Sequence, residues 1–194
     1  ALASRLAVQF FRAMIRDKQD CTTEEELNDV THAVHRNIIE SGGLVGGDNG
    51  IGTTFSAVRV LPDKFMLAHV GDSSVYHQNG QGLKHISTSH TLANDLIEKH
   101  GPEAMNDMPD HYMHTLTRCM GQDIDFAVDV STYSIKAGDG VLICSDGVTN
   151  MVDEDIIESV MKEHEPKDYV PALIDLANQN GGVDNSTIVS FLIN

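Results

Sequence analysis

The sequence predicts an α+β fold, a four-layer α-β-β-α sandwich in which two antiparallel sheets are flanked by pairs of helices. Three observations lead to this prediction. Helical apolar patterns occur in pairs near both ends of the chain, short β-prone segments separated by turn residues fill the middle, and no repeat or linker divides the 194 residues. Because an amphipathic helix must bury one face, the helix pairs are expected on the outer faces of the two sheets.

Two helices are predicted at the start of the chain. Apolar residues spaced three and four apart predict an amphipathic helix over residues 2–16. Thr22 and Thr23, followed by three glutamates, form a capping-box pattern for a second helix, which we expect to end at residues 41–43. Its expected apolar face is formed by Leu27, Val30, Val34 and Ile38.

The rest of the chain alternates β-prone segments, turns and shorter helical patterns. Segments rich in β-branched and aromatic residues, bounded by Gly, Pro, Asn and Asp, are expected to be strands. The expected strands are 53–60, 64–70, 73–77, 83–86, 126–135, 141–145 and 186–193. The expected helices are 91–101, 153–164 and 168–179, and residues 102–115 are expected to form an irregular surface flap.

The composition restricts the classes of partner. Thirteen basic and 29 acidic residues give a formal net charge of -16, which repels nucleic-acid phosphates and anionic lipid. No apolar run reaches the roughly 18 to 20 residues that a membrane span needs. The three widely spaced cysteines indicate neither a disulfide framework nor a zinc site. We therefore expect a cytoplasmic protein that binds neither nucleic acid nor a membrane.

Two sharp turns place carboxylates at the ends of predicted strands. The apolar run 141–145 is followed by Asp146 and Gly147, and a glycine turn leads through Asp184 and Asn185 into the last strand. Rigidly held carboxylates of this kind suit hard divalent cations such as Mg²⁺ or Mn²⁺. A purely structural interpretation also exists, in which Asp146 caps a helix and Asp184 forms an Asx-turn. Spacing alone leaves both interpretations open.

Five short motifs occur in order along nearly the whole chain. They are Gly52-Thr53-Thr54, Ala68-His69-Val70-Gly71-Asp72-Ser73, Leu116-Thr117-Arg118-Cys119-Met120-Gly121, Cys144-Ser145-Asp146-Gly147-Val148 and Gly182-Val183-Asp184-Asn185-Ser186-Thr187. Each is weak alone, but together their order and separations resemble those of the PP2C-like (PPM) metal-dependent serine/threonine protein phosphatases. By this resemblance, residues 1–194 form a single domain of that family.

The resemblance implies a chemistry as well as a fold. It implies a hydrolase with a binuclear Mn²⁺ or Mg²⁺ centre, in which a metal-bridging water attacks the phosphorus of phosphoserine or phosphothreonine in a protein substrate. Asp146 and Asp184 match aspartates that bind one of the two metals, and Gly147 and Asn185 match residues that support them. No protein side chain is expected to act as the nucleophile.

The sequence also departs from the family pattern. The family's first strands, which carry a phosphate-binding Arg and an Asp-Gly pair that bridges both metals, have no counterpart before Ala1. We therefore expect the chain to be the C-terminal major part of the domain, and the fragment itself to have little activity. Ser89 stands where the family has an aspartate that binds a third metal. The alternative hypothesis is a catalytically impaired pseudophosphatase that acts as a protein-binding module.

Overall fold

The structure is a computed structural model that describes residues 2–18, 20–45, 50–122 and 126–194. The chain divides into two compact units, each built from two segments of the sequence. The first unit comprises Ala1–Asp72 and Ser89–Ser134, and the second comprises Ser73–Thr88 and Ile135–Asn194.

The helices and strands follow one another along the chain as follows. They are α1 (Leu2–Asp17), α2 (Glu24–Val45), β1 (Phe55–Val60), β2 (Lys64–Val70), β3 (Ser74–Asn79), β4 (Gly82–His85), α3 (Leu92–His100), two 3₁₀ helices (Pro102–Asp107 and Asp110–His114), β5 (Asp129–Ser134), β6 (Gly140–Cys144), α4 (Asp146–Thr149), α5 (Glu154–Glu163), α6 (Pro166–Gln179) and β7 (Ile188–Leu192).

The first unit is a three-stranded antiparallel sheet accompanied by α1, α2 and α3. Its strand order is β1-β2-β5, and the register pairs His69 of β2 with Asp129 of β5. The long helices α1 and α2 share one apolar cluster, in which Ala3 and Ala7 of α1 are buried with Ile38 of α2. The small side chains on α1 let the two helices approach closely and bury apolar surface. This burial is the main favourable term in folding.

Helix α2 begins where the sequence predicts and ends later. The Thr23 hydroxyl accepts the amide of Glu26, and the Glu26 carboxylate accepts the amide of Thr23, so the predicted capping box is confirmed. The predicted end at residues 41–43 is wrong, because the helix continues to Val45. Gly42 is buried against Ile51, where a Cβ atom would lie 3.0 Å from Ile51 Cγ1. A glycine costs a helix about 1 kcal/mol, and this close packing offsets that cost.

The second unit is a four-stranded antiparallel sheet with the order β4-β3-β6-β7, accompanied by α4, α5 and α6. Its core buries Leu142 of β6 together with Ile157 of α5 and Tyr169 and Leu173 of α6. The inward-facing side chains of α5 and α6 recur three and four residues apart, as expected for helices that cover a sheet.

The predicted α+β class with two antiparallel sheets accompanied by helices is confirmed. Every predicted strand is present with slightly shifted ends. The predicted flap, residues 102–115, contains the two 3₁₀ helices, and the short helix α4 was not predicted. Residues 46–49, which follow α2, lie outside the described residues.

Two features bear on the sequence-based expectations about compartment. Cys21, Cys119 and Cys144 are all free and buried. Among the helices that the structure describes, none combines the length and the apolar character needed to cross a bilayer.

Candidate metal centre

The candidate site lies in the second unit, at one edge of its sheet. β6 and β7 are antiparallel neighbours, with Cys144 at the end of β6 opposite Ile188 at the start of β7. The turn after β6 and the turn before β7 therefore meet at the same edge. The first turn carries Asp146, and the second carries Asp184.

Four hydrogen bonds fasten these two turns to each other. The Ser145 amide donates to the Thr187 carbonyl, and the Ser145 hydroxyl accepts the Thr187 amide, both at 3.0 Å. The Ser145 hydroxyl also donates to the Asn185 carbonyl at 3.0 Å. The Ser186 hydroxyl donates to the Gly147 carbonyl at 3.0 Å. We call this set of four bonds the serine latch.

Gly147 lets the two turns approach at backbone distance. A Cβ atom at this position would lie 2.6 Å from the Asn185 carbonyl oxygen and 3.2 Å from the Asp184 carbonyl carbon. Real Cβ contacts are not this short, so any side chain here would push the turn of Asp184 away from that of Asp146. The glycine is therefore required by the close approach of two backbones.

The glycine turn before Asp184 is anchored on α6. Gly182, with a φ of 55°, donates its amide to the Ala177 carbonyl at 3.1 Å. The Asn180 side chain donates to the Met151 carbonyl at 2.7 Å, so the turn is also tied to the chain segment that follows α4. Asp184 is thus placed by α6 on one side and by the serine latch on the other.

The two carboxylates differ in their local contacts. The Asp184 Oδ1 atom accepts the Asn185 amide at 2.6 Å, which accounts for one of its two oxygens. Asp146 is half-buried and begins α4, and its carboxylate has no hydrogen-bond or ion-pair partner among the described residues. The proposed role of Asp146 as a helix cap is not seen, since α4 has no side-chain cap bond.

This donor set fits a hard divalent cation. A half-buried carboxylate without a protein partner and a second carboxylate with one uncommitted oxygen supply the oxygen ligands that Mg²⁺ and Mn²⁺ prefer. The described part of the chain contains no group of three or more His, Cys, Asp or Glu side chains that could hold a metal. Coordination from this part of the chain would therefore come from the pair alone.

A second buried polar group lies in the first unit and surrounds Gly71. His90, which is 2% exposed, accepts the Gly71 amide at Nδ1 over 3.0 Å and contacts the Asp129 carboxylate through Nε2 at 3.0 Å. His69 Nε2 lies 3.1 Å from the Gly71 carbonyl oxygen. Because an amide only donates and a carbonyl only accepts, His90 carries no proton on Nδ1 and His69 carries one on Nε2. Both histidines thus hydrogen-bond to the backbone of Gly71.

Comparison with known proteins decides the family. The family model described as protein phosphatase 2C matches residues 1–192. The chain belongs to the protein phosphatase 2C family.

Curated relatives of this protein phosphatase 2C chain include two bacterial phosphatases. It is 28% identical over 194 residues to the serine/threonine phosphatase stp of Listeria monocytogenes, covering 97% of this chain and 77% of that protein. It is 29% identical over 148 residues to the protein phosphatase PhpP of Streptococcus pneumoniae, covering 75% of this chain and 59% of that protein. The match thus spans less than two thirds of the pneumococcal protein.

Solved structures show the same fold. The serine/threonine phosphatase PstP/Ppp of Mycobacterium tuberculosis superposes with a TM-score of 0.86 at 25% identity, covering 100% of this chain and 82% of that chain. The sequence-based recognition of the family is therefore confirmed. What the sequence missed is the serine latch, whose only signal was that Ser145 and Ser186 adjoin the two aspartate motifs.

Proposed function

We propose that this protein phosphatase 2C member is a metal-dependent phosphomonoester hydrolase that removes phosphate from phosphoserine and phosphothreonine in proteins. Its family and the named activity of its relatives support the reaction class. The observation that carries the proposal is the pair of aspartate turns fastened at backbone distance in the second unit. Neither the site nor the relatives support the alternative of a non-catalytic binding module.

In this proposal Asp146 and Asp184 bind one divalent cation, Mn²⁺ or Mg²⁺, of a binuclear centre. When bound, such a cation neutralises phosphoryl charge and lowers the pKa of a water molecule, so no protein nucleophile is needed. Asn185 directs its amide onto Asp184 Oδ1 and thereby orients that carboxylate. Gly147 lets the backbones of the two turns approach closely, and in this proposal both carboxylates face one ion.

The proposed substrates are phosphorylated proteins, and the proposed location is the cytoplasm. Three free, buried thiols suit a reducing compartment. The formal net charge of -16 disfavours nucleic acid and anionic membranes as partners.

The proposal is tested with the variants Asp146→Asn and Asp184→Asn in the natural protein. Each variant removes a charged ligand while keeping the size of the side chain. We expect Mn²⁺-dependent hydrolysis of a small aryl phosphate to fall by about a hundredfold or more in each variant. We also expect the rise in melting temperature that Mn²⁺ gives the unmodified protein, by binding the native state, to be lost.

Asp175→Asn provides the matched control, since Asp175 is an exposed aspartate on α6 in the same unit. It should keep both the activity and the thermal shift. Full activity and a full Mn²⁺ shift in both site variants would exclude the assigned metal ligands, and the absence of turnover by the natural protein with any divalent cation would exclude the reaction.

A further inference from the structure

Helix α1 carries an unusual concentration of positive charge for this protein. The whole chain has a formal net charge of -16, yet α1 contains three of its six arginines and one acidic residue, Asp17. The three arginines are Arg5, Arg12 and Arg16, and all are exposed. Spacings of seven and four residues place them on one face of the helix, opposite the face that buries Ala3 and Ala7.

The guanidinium groups of this face are available for a ligand. Neither Arg5 nor Arg12 makes a hydrogen bond or an ion pair with any residue within the described ranges. Arg16 Nε lies 3.9 Å from the Asp17 carboxylate, with side-chain exposures of 79% and 78%. An exposed pair at this distance contributes little and gives way readily to a better acceptor.

A surface cavity of about 310 Å³ accompanies the arginines, lined by Val8, Gln9, Arg12, Ala13 and Arg16. Val8 is 53% exposed, so the cavity offers an apolar wall as well as two guanidiniums and an amide. Aspartate and glutamate side chains combine a carboxylate with apolar methylene groups, and a guanidinium can bind a carboxylate with two parallel hydrogen bonds.

The net charge of the chain argues for a short acidic segment as the occupant. A second copy of the chain would bring another 16 negative charges to the interface, and an anionic bilayer or nucleic acid would be repelled by the same field. A short acidic peptide carries fewer negative charges and can lie close to the three guanidiniums, while salt screens it from the more distant carboxylates of the chain.

We propose that the arginine face of α1, formed by Arg5, Arg12 and Arg16, is a docking surface for an acidic segment of a protein partner. This inference rests on the proposed function in one respect: the partner is the phosphoprotein substrate, whose acidic segment lies apart from the phosphorylated residue. Docking on α1 selects among phosphoproteins and takes no part in the hydrolysis.

Direct binding tests the surface independently of any catalytic activity. The probe is a fluorescein-labelled heptaglutamate peptide without phosphate, titrated with the natural protein at low salt and followed by fluorescence anisotropy. The double variant Arg12→Gln/Arg16→Gln should weaken binding about tenfold, as expected for the loss of two charge-assisted contacts. Raising the salt concentration should weaken binding to the unmodified protein.

Arg36→Gln is the control for the loss of a positive charge elsewhere, because Arg36 is exposed on α2 and is not one of the residues that line the cavity. Glutamine preserves helix propensity in both cases. Equal affinity of the double variant and the unmodified protein, or no binding by the unmodified protein, would overturn the proposal. So would a dimer of the unmodified protein that the double variant dissociates, since the face would then belong to a second copy.

Kinetics separate this inference from the proposed function. For a phosphoserine peptide with a distant acidic stretch, the double variant should raise KM about tenfold and leave kcat unchanged. Turnover of a small aryl phosphate should be unaffected. Peptide binding without any turnover would contradict the proposed reaction while supporting the docking surface, and turnover with unchanged peptide KM would overturn the docking surface alone.

Discussion

At the residue scale, Gly147 decides how close the two aspartate turns can come. We expect Gly147→Ala to lower the free energy of unfolding by about 1–3 kcal/mol, because its Cβ would overlap backbone atoms that cannot move independently of β7. The same variant should lose most of the Mn²⁺-induced thermal shift. Urea unfolding and thermal melts with and without Mn²⁺ measure the two effects.

Gly43→Ala is the control for this substitution. Gly43 lies in α2, and among the described residues no atom from outside its own stretch of helix comes within 4 Å of the position that its Cβ would occupy. Alanine is the better helix former by about 1 kcal/mol, so this variant should be equally or more stable. A Gly147→Ala protein as stable as Gly43→Ala, with a normal Mn²⁺ shift, would contradict the assigned role of the glycine.

Asp129 shows how ionisation of one side chain contributes to the stability of the first unit. Partial burial raises the pKa of Asp129, but the hydrogen bonds from His90 and Arg118 and the positive charge of Arg118 outweigh it and hold the pKa below its usual range. Arg118 Nη1 lies 2.9 Å from Asp129 Oδ1. A carboxyl group with a lowered folded-state pKa stabilises the fold above its unfolded-state pKa, and this contribution disappears as the pH falls through the folded-state value.

We therefore expect Asp129→Asn to reduce the free energy of unfolding at pH 7. The loss should be about 1 kcal/mol or less, since the carboxylate is 41% exposed and solvent screens it. The difference between variant and unmodified protein should shrink as the pH drops below about 4. Urea titrations across this range measure it, and Asp63→Asn, at an exposed aspartate, should show no such trend. A difference that stays constant or grows at low pH would refute the ion-pair account.

The sequence singled out the two candidate aspartates but not the residues that fasten their turns together. Asp146 and Asp184 stand out because each follows or precedes a strand within a motif that resembles a family signature. Ser145 and Ser186 did not stand out, because a hydroxyl acquires its role only when β6 and β7 become neighbours in register. Paired residues of β6 and β7 lie 44 to 52 positions apart in the sequence, and such pairing is set by the whole sheet rather than by local propensity.

At the element scale, the serine latch joins the turn that follows β6 to the turn that precedes β7. Ser145→Ala removes one donor and one acceptor, leaving the Asn185 carbonyl and the Thr187 amide without these partners. We expect a loss of about 1–2 kcal/mol in the free energy of unfolding and a weaker apparent affinity for Mn²⁺. Calorimetric titration and urea unfolding measure these quantities.

Two further variants separate the latch from a general effect of losing a hydroxyl. Ser145→Thr keeps the hydroxyl and should retain most of the Mn²⁺ affinity. Ser134→Ala changes an exposed serine at the end of β5 and should have little effect. Equal Mn²⁺ affinity in Ser145→Ala and Ser134→Ala would show that the latch does not position the ligands.

Helix boundaries illustrate the limit of local reasoning at this scale. Thr91 was placed at the start of a helix and caps α3 through its hydroxyl, and Gly101, with a φ of 86°, ends it. The glycines at the end of α2 have the same local signal but do not end that helix, because Gly42 is packed against Ile51. Tertiary packing therefore decides between two identical sequence cues.

At the scale of the whole molecule, the α+β class and the number of sheets followed from the pattern of strands and helix pairs. The division of strands between the sheets did not. β2 and β3 are consecutive in the sequence, yet β2 pairs with β1 and β5, whereas β3 pairs with β4 and β6. Short local segments look alike in composition, and only long-range pairing assigns each to its sheet.

The hydrogen bonds between Gly71 and His90 bear on where residues can be inserted into the chain. The His90 amide donates to the Gly71 carbonyl at 2.8 Å, and the His90 ring accepts the Gly71 amide. The segment from Ser73 to Thr88, which belongs to the second unit, is therefore flanked by two residues that are hydrogen-bonded to each other. When both ends of a flexible loop are fixed, each doubling of the loop length costs only about 0.6 kcal/mol of closure free energy. The tip between β3 and β4, where Gly80 has open space around it, is thus a place where a foreign sequence could be grafted with the fold of the first unit preserved.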